Sequence, residues 1–241
     1  MLGLKKENER LTVDVKEAAM KSGASLVGIV SSEVADSVPK IWVGWKIQEY
    51  TRRSVDVMAD AKSIVVLGYH VWDDMLELAI KKDGHWVYPG YFPLEVLEEV
   101  VGNYLEKRGY RAIISPPIPQ KRLAQLAGLG SYGKNALIIN PIFGPWMRLA
   151  TILTNADMIP DKPFEQNLCG ECAECVKACP AGALSPYKVD DGKCLVGVHL
   201  VDKENFERNE RWKQFEPKFT YNAHLMCTVC QKACKYGREK H

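Results

Sequence analysis

The first 168 residues of this 241-residue chain contain no cysteine. No apolar run reaches the roughly 20 residues of a membrane-spanning helix. The best stretch, Ala136 to Met147, is broken by Asn140, Pro141, Gly144 and Pro145. The start, MLGLKKENERL, has no apolar signal core, and Arg52-Arg53 lies too deep to be an export signal. An excess of one charge is also missing: 32 Lys and Arg face 30 Asp and Glu, and residues 161–241 hold 13 basic and 12 acidic side chains. A basic nucleic-acid face and an acidic tail are therefore excluded. Internal repeats are absent, which removes solenoids. With 46% hydrophobic and 26% charged residues, disordered and fibrous classes go too.

What is present is a block of eight cysteines between Cys169 and Cys234. A secreted disulfide scaffold is usually short and spreads its cysteines through the fold. A long cysteine-free region followed by a dense block is instead the pattern of a metal module in a reducing cytoplasm, so a cytoplasmic, membrane-free protein is expected. The first run is Cys169-x2-Cys172-x2-Cys175-x3-Cys179-Pro180. Three cysteines at this spacing let one loop wrap a cubane, while the fourth, before proline, ligates a second cluster. Such a run predicts four partners elsewhere, and the sequence supplies Cys194, Cys227, Cys230 and Cys234. The expected interleaving gives cluster one Cys169, Cys172, Cys175 and Cys234. Cluster two takes Cys179, Cys194, Cys227 and Cys230. Lys235 stands where a second proline would be usual. Zinc and disulfides are the alternatives, but zinc motifs pair C-x2-C with C-x2-C, and a triple spacing ending in Cys-Pro has little purpose there. With eight cysteines matched to eight positions, His199 and His224 are read as surface or packing residues.

The rest of the chain reads as mixed structure. Leu11, Val15, Ala18 and Ala19 have helical spacing before Gly23; Ser25 to Val30 and Ser63 to Tyr69 read as strands, the second buried on both faces. Lys46 to Ala61 is predicted helical, and Asp83 to Phe92 a loop rich in Gly, Pro and aromatics. Pro93 opens a helix with apolar Leu94, Leu97, Val101 and Leu105, ended by Gly109. A strand at Arg111 to Ile114, a helix at Gln120 to Ala127, and strands at Ala136 to Ile139 and Leu149 to Leu153 follow. These elements suggest a layered α/β or α+β domain over residues 1–160. The turn-rich Asn155 to Gln166 is the expected linker to a cysteine domain over 161–241.

Gly128-Leu129-Gly130-Ser131-Tyr132-Gly133 fits G-x-G-x-x-G by letter. A dinucleotide motif follows a strand and opens a helix, whereas here a helix precedes and a strand-like run follows. Asn135 after Gly133-Lys134 also excludes a P-loop. What remains is a loop whose backbone can approach a ligand closely, which makes Gly128, Gly130, Gly133, Lys134 and Asn135 candidate cofactor-binding residues. Tyr132 and Lys134 are candidate proton donors. Trp86, Tyr88, Tyr91 and Phe92 read either as a packed loop or as a lid over a flat cofactor.

The segment Leu126 to Asn135 (LAGLGSYGKN) resembles the AGLG-x-x-GKN segment of epoxyqueuosine reductases and their relatives the reductive dehalogenases. Gly144-Pro145-Trp146 with Leu149 to Thr154, and Cys169 to Leu184 with the later cysteines, resemble further stretches of that family. The resemblance implies a nitroreductase-like α/β domain holding a corrinoid, joined to a two-cluster ferredoxin-like domain. It also implies an oxidoreductase in which two [4Fe–4S] clusters pass electrons to cobalamin, which reduces a small organic substrate. An external ferredoxin or flavodoxin would be the electron donor. The alternatives are an electron-transfer protein serving a partner, or a flavin in place of the corrinoid. The family's acidic proton donor falls on Ile114 in this chain, within Ile113-Ile114-Ser115-Pro116-Pro117, and isoleucine has no transferable proton. His241 comes seven residues after Cys234. With the near-neutral charge, these departures lead to the expectation that tRNA is not the substrate.

Overall fold

A computed structural model describes residues 2–38, 51–196 and 218–237. In chain order the elements begin with α1 (Leu2–Lys21), β1 (Leu26–Ser31), α2 (Ser32–Ser37), α3 (Ser54–Val57), β2 (Ser63–His70), β3 (Leu78–Lys82), β4 (His85–Val87) and α4 (Phe92–Glu106). They continue with β5 (Ala112–Ile114), α5 (Gln120–Leu126), β6 (Ser131–Tyr132), β7 (Ile138–Ile139) and β8 (Met147–Thr154). The last are α6 (Glu174–Ala178), β9 (Leu184–Ser185), β10 (Lys188–Val189), β11 (Lys218–Thr220), β12 (Ala223–Leu225) and α7 (Val229–Lys232).

The main sheet has the order β1-β2-β8-β5, antiparallel throughout. Successive side chains of a strand point to opposite faces, so the uncharged run of β2 serves two cores at once. Val65 and Leu67, with Ile29 and Ile152, pack against α1 and α4 through Val15, Ala19, Leu97, Val101 and Leu105. Ile64 and Val66, with Val30 and Leu153, pack on the other face against Leu123, Ala127, Tyr132 and Ile138. Covering both faces explains why β2 reads as a continuous apolar run without alternation. The helix that opens before Pro93 runs to Glu106, and Gly109 follows with φ +84°.

Two expectations change. The segment Lys46 to Ala61 lies partly outside the described residues; within them only Ser54–Val57 is helical. The predicted loop at Asp83 to Phe92 starts as a hairpin: β3 pairs with β4 around Asp83 (φ +49°) and Gly84 (φ +81°). Two consecutive positive φ values are what a type I′ turn demands, and Asp-Gly is a preferred pair for it. The hairpin then joins a second sheet, ordered β11-β12-β3-β4. Ala223 pairs with Ile80 and Leu225 with Leu78, so this sheet joins residues 78–87 to residues 218–225.

Gly28 sits in β1 where the sheet meets the end of α5. A Cβ there would lie 2.4 Å from the Ala127 carbonyl oxygen and 2.8 Å from its Cβ. Neither neighbour can swing aside, since both are fixed to a helix end. Gly28→Ala should therefore lower unfolding stability by about 1–3 kcal/mol, the usual cost of overpacking. Urea denaturation against wild type checks it.

Candidate functional site

The cysteine block is built from two loops that each run into a short helix. In the first, Asn167 Oδ1 accepts the N–H groups of Cys169 (3.1 Å) and Gly170 (3.2 Å), fixing the loop that carries Cys169 and Cys172. Cys175 lies in α6 and Cys179 caps its end. In the second, Cys230 lies in α7, with Cys227 before it and Cys234 after it. α6 packs on α7. Burial pushes the Cys175 thiol up to about 11, and the neighbouring thiols of Cys169, Cys234 and Cys172 add to the shift. Burial also raises Cys230, whose thiol neighbours are Cys194, Cys227, Cys179 and, more weakly, Cys175. Cys227 is raised by burial, with Cys179 as its neighbouring thiol. The fold thus brings Cys169, Cys234 and Cys172 near Cys175, and Cys194, Cys227, Cys179 and Cys175 near Cys230. Among the described residues no three His, Cys, Asp or Glu side chains form a cage for a single metal ion.

The glycine loop lies directly beside the first group. β6 and β7 pair, and the loop between them is closed by Gly133 N–H donating to the Leu137 carbonyl at 2.7 Å. At its tip Lys134 donates its backbone N–H to Cys169 Sγ at 3.4 Å and its Nζ to the Gly170 carbonyl at 2.7 Å. The close approach inferred from the glycines is real, but what approaches is the chain itself. A Cβ on Gly128 would lie 2.7 Å from the Lys162 carbonyl, one on Gly130 2.4 Å from the Ile139 carbonyl, and one on Gly133 2.7 Å from Asn135 Oδ1. Asn135 is buried, and its Oδ1 accepts from Leu137 N–H at 3.2 Å. Tyr132 is packed into the core cluster, and burial holds its phenol in the neutral form. These residues form the floor under the first cysteine loop.

Lys121 carried no signal in the sequence. Its Nζ donates to the Ala136 carbonyl at 2.7 Å. Burial pulls its pKa down to about 8, against the opposing pull of Cys194 and Cys230. It is a cation set beside the second thiol group.

A cavity of about 410 Å³ opens between the β3–β4 hairpin, α4 and the sheet. Trp86, Tyr88, Tyr91 and Phe92 are among its walls, with Gln120, Ser115, Glu95 and Glu98. Packing on its own neighbours also occupies some of these rings: Trp86 meets His224 edge-on with centroids 4.9 Å apart. Tyr88 is pushed up to about 12 by burial and by Tyr91. Glu98 is the residue that sequence reading passed over. Although it sits on α4, it is only 4% exposed. Its Oε1 accepts Ser115 N–H (3.1 Å), Ser115 Oγ (2.9 Å) and Thr151 N–H (3.3 Å), and its Oε2 accepts Ser115 Oγ at 2.8 Å. Ser115 reaches it with both donors because its backbone takes φ +44°, a conformation that costs a non-glycine residue about 1–3 kcal/mol. Beside it, Ile114 is 38% exposed and packs at Gly102.

Residues 168–237 match the profile of a 4Fe-4S double cluster binding domain. The chain is 27% identical to the epoxyqueuosine reductase of Cyclobacterium marinum over 95% of its own length and 80% of the relative's. The chain is thus similar in sequence to the epoxyqueuosine reductases. It spans between 29% and 59% of seven further epoxyqueuosine reductases. The fold agrees. An epoxyqueuosine reductase solved with an epoxyqueuosine-modified tRNA stem loop superposes with a TM-score of 0.71 at 20% identity, over 96% of this chain and 66% of that one. A reductive dehalogenase, described as suggesting a mechanism for B12-dependent dehalogenation, gives 0.67 at 20% identity over 96% of this chain and 32% of its own. No described helix is long and apolar enough to cross a membrane.

Glu98 makes a stability prediction. Burial raises its pKa, more than the Ser115 and Thr151 hydrogen bonds lower it. The folded state then binds a proton that the unfolded state has released, so stability falls as pH rises from the ordinary carboxylate range through the raised value. Gln can accept the same N–H groups without this cost. Urea unfolding from pH 4 to 8 should show Glu98→Gln gaining on wild type as pH rises, with the gap closing in acid.

Proposed function

We propose that this chain is an iron–sulfur oxidoreductase that carries electrons through two [4Fe–4S] clusters to a small organic substrate bound in the aromatic cavity. The observation that carries this reading is the convergence of eight thiols from residues 169–179, 194 and 227–234 about Cys175 and Cys230. A cubane takes four thiolates, and the spacing Cys-x2-Cys-x2-Cys-x3-Cys-Pro hands its last cysteine to the other cluster. The donor set therefore fits two clusters. Cluster one would be held by Cys169, Cys172, Cys175 and Cys234, and cluster two by Cys179, Cys194, Cys227 and Cys230. Bound clusters supply single-electron transfer. Around them the chain's own groups set the local field. The Lys134 N–H on Cys169 Sγ and the Lys121 ammonium near Cys194 and Cys230 both favour the more negative, reduced form.

The cavity is connected to this machinery through backbone. β4 and its Trp86 belong to the same sheet as β12, which leads after Met226 into Cys227. Met226 N–H donates to the Glu77 carbonyl at 2.9 Å, and Glu77 pairs with Arg148 at 2.5 Å. Arg148 in turn stacks on Tyr91 at 4.5 Å. The path from cluster ligand to cavity wall is thus short and made of paired groups.

The dehalogenase neighbour supports a corrinoid as the immediate electron carrier, within a nitroreductase-like domain. A corrinoid would supply a cobalt centre that takes up single electrons. At Gly128, Gly130 and Gly133 the chain's own atoms fill the space a Cβ would take, so packing accounts for these glycines without a ligand. The tRNA stem loop bound by one neighbour argues against the sequence expectation that excluded tRNA, so the substrate is defined here by the cavity and not by charge balance. A low-potential ferredoxin or flavodoxin is the proposed electron source.

Interleaving makes the test sharp. Cys234→Ala should remove cluster one although it lies beside cluster-two ligands, and Cys179→Ala should remove cluster two although it lies in the first run. Iron counting and EPR of anaerobically prepared protein read both losses; the opposite assignment, or zinc in place of iron, refutes the reading. Titration with cobalamin, followed by the visible spectrum, tests the corrinoid: unchanged cobalamin and cluster spectra would remove it.

A further inference from the structure

Glu98 is a carboxylate with a counter-charge problem. It is 4% exposed, yet its hydrogen bonds come from neutral donors, Ser115 and Thr151. No ion pair among the described residues includes it. The charged group that acts on it is Glu95, of the same sign. A buried charge without an opposite partner is costly, and proteins normally pair it or coordinate it. Among the described residues that line this cavity there is no Lys or Arg, and the charged ones are Glu95 and Glu98. Oε1 already takes three donors, whereas Oε2 takes only the shared Ser115 hydroxyl, so Oε2 keeps lone-pair capacity for an incoming group.

The walls point to the same ligand chemistry. Aromatic faces attract cations, and two of these rings already do so outside the cavity lining. Lys81 Nζ lies 5.9 Å from the Trp86 centroid, and the Arg148 guanidinium lies 4.5 Å from that of Tyr91. Neither cation answers Glu98, because Arg148 is matched by Glu77 and Lys81 is on the exposed side of β3. Tyr88 and Phe92 add further ring surface. A volume of about 410 Å³ is within the range of small-molecule pockets. An anion would meet two carboxylates here, and a neutral molecule would leave Glu98 uncompensated.

We propose that the cavity over α4 and the β3–β4 hairpin binds a flat organic cation, a protonated amine carried on an aromatic or similarly planar body, with the amine on Glu98 Oε2 and the ring among Trp86, Tyr88 and Phe92. This deepens the reductase reading by naming its substrate class. It is a binding statement and involves no transfer step.

Three probes of one shape test it on the cluster-loaded protein: tyramine, 4-ethylphenol and 3-(4-hydroxyphenyl)propionate, which are cationic, neutral and anionic at neutral pH. Isothermal titration calorimetry should give tyramine about tenfold or more tighter binding than 4-ethylphenol, with the anion weakest. In Glu98→Gln the tyramine advantage should collapse toward equality while 4-ethylphenol is unchanged. Equal binding of cation and neutral probe by wild type, the same preference in Glu98→Gln, or no tyramine binding at millimolar concentration would each overturn the proposal. The wild-type series stands even if the variant folds poorly. Iron content of the same samples reports separately on the clusters, so loss of the redox reading and loss of the cation site give different results.

Discussion

The return of residues 223–234 across the chain to residues 78–80 and to α6 is the constraint on which everything else rests. The pairing of β12 with β3 returns the strand that leads into Cys227, and the packing of α7 on α6 sets the second cysteine run against the first. The pairing is short, only three residues on each side, and so is weak by its own ladder. It is reinforced where the loops meet: the turn at Phe143 and Gly144 closes on Tyr236 and Gly237, where even a Cβ would clash. A cluster taking thiolates from both runs would lock this return in place. Metal binding and folding would then be one event in this part of the chain, as they are in other sites built from distant ligands.

The same return ties redox chemistry to substrate contact. β3 gives one edge to the strand that leads to Cys227 and the other to β4, which carries Trp86 into the cavity wall. One hairpin thus touches the ligand loop on one side and the cavity on the other. The buried Glu77–Arg148 pair extends the link, since Glu77 precedes β3 and Arg148 belongs to β8 of the main sheet. Breaking one half of such a pair leaves an uncompensated buried charge. This gives the junction a reason to be rigid that is independent of either site.

How much of this could be read in advance depends on how local the signal was. The two-faced strand β2 and helix α4 were legible because an uncharged run and the Leu94, Leu97, Val101, Leu105 repeat are statements about neighbours a few residues away. The double-cluster module was legible for a different reason: ligand number and spacing are stoichiometric, so Cys179 demands partners wherever they lie. The hairpin at Asp83-Gly84 had a signal, the I′ dipeptide, but aromatic and glycine content obscured it. The glycines of 128–133 were ambiguous in principle. Close backbone approach looks the same in sequence whether the neighbour is a ligand or Ile139. Only packing separates the two.

Glu98 had no sequence signal, and the reason is physical. On α4 it follows Leu97 and precedes Glu99, in a helix with the ordinary mixture of apolar and acidic residues, and nothing in that spacing distinguishes a buried carboxylate from a solvated one. What distinguishes it is Ser115, 17 residues later, held at a positive φ so that its N–H and hydroxyl both turn toward the carboxylate. Strain of this kind persists only where the surroundings enforce it. Here the enforcement comes from β5, which pairs with β8 up to Ile114 and delivers Ser115 to the same residue, Thr151, whose N–H completes the Glu98 shell. An acid buried by three converging elements, facing a cavity without a cation, is a charge the fold stabilises by hydrogen bonds but does not neutralise. Neutralisation is left to a proton or to a ligand, and the aromatic walls favour a ligand that brings positive charge.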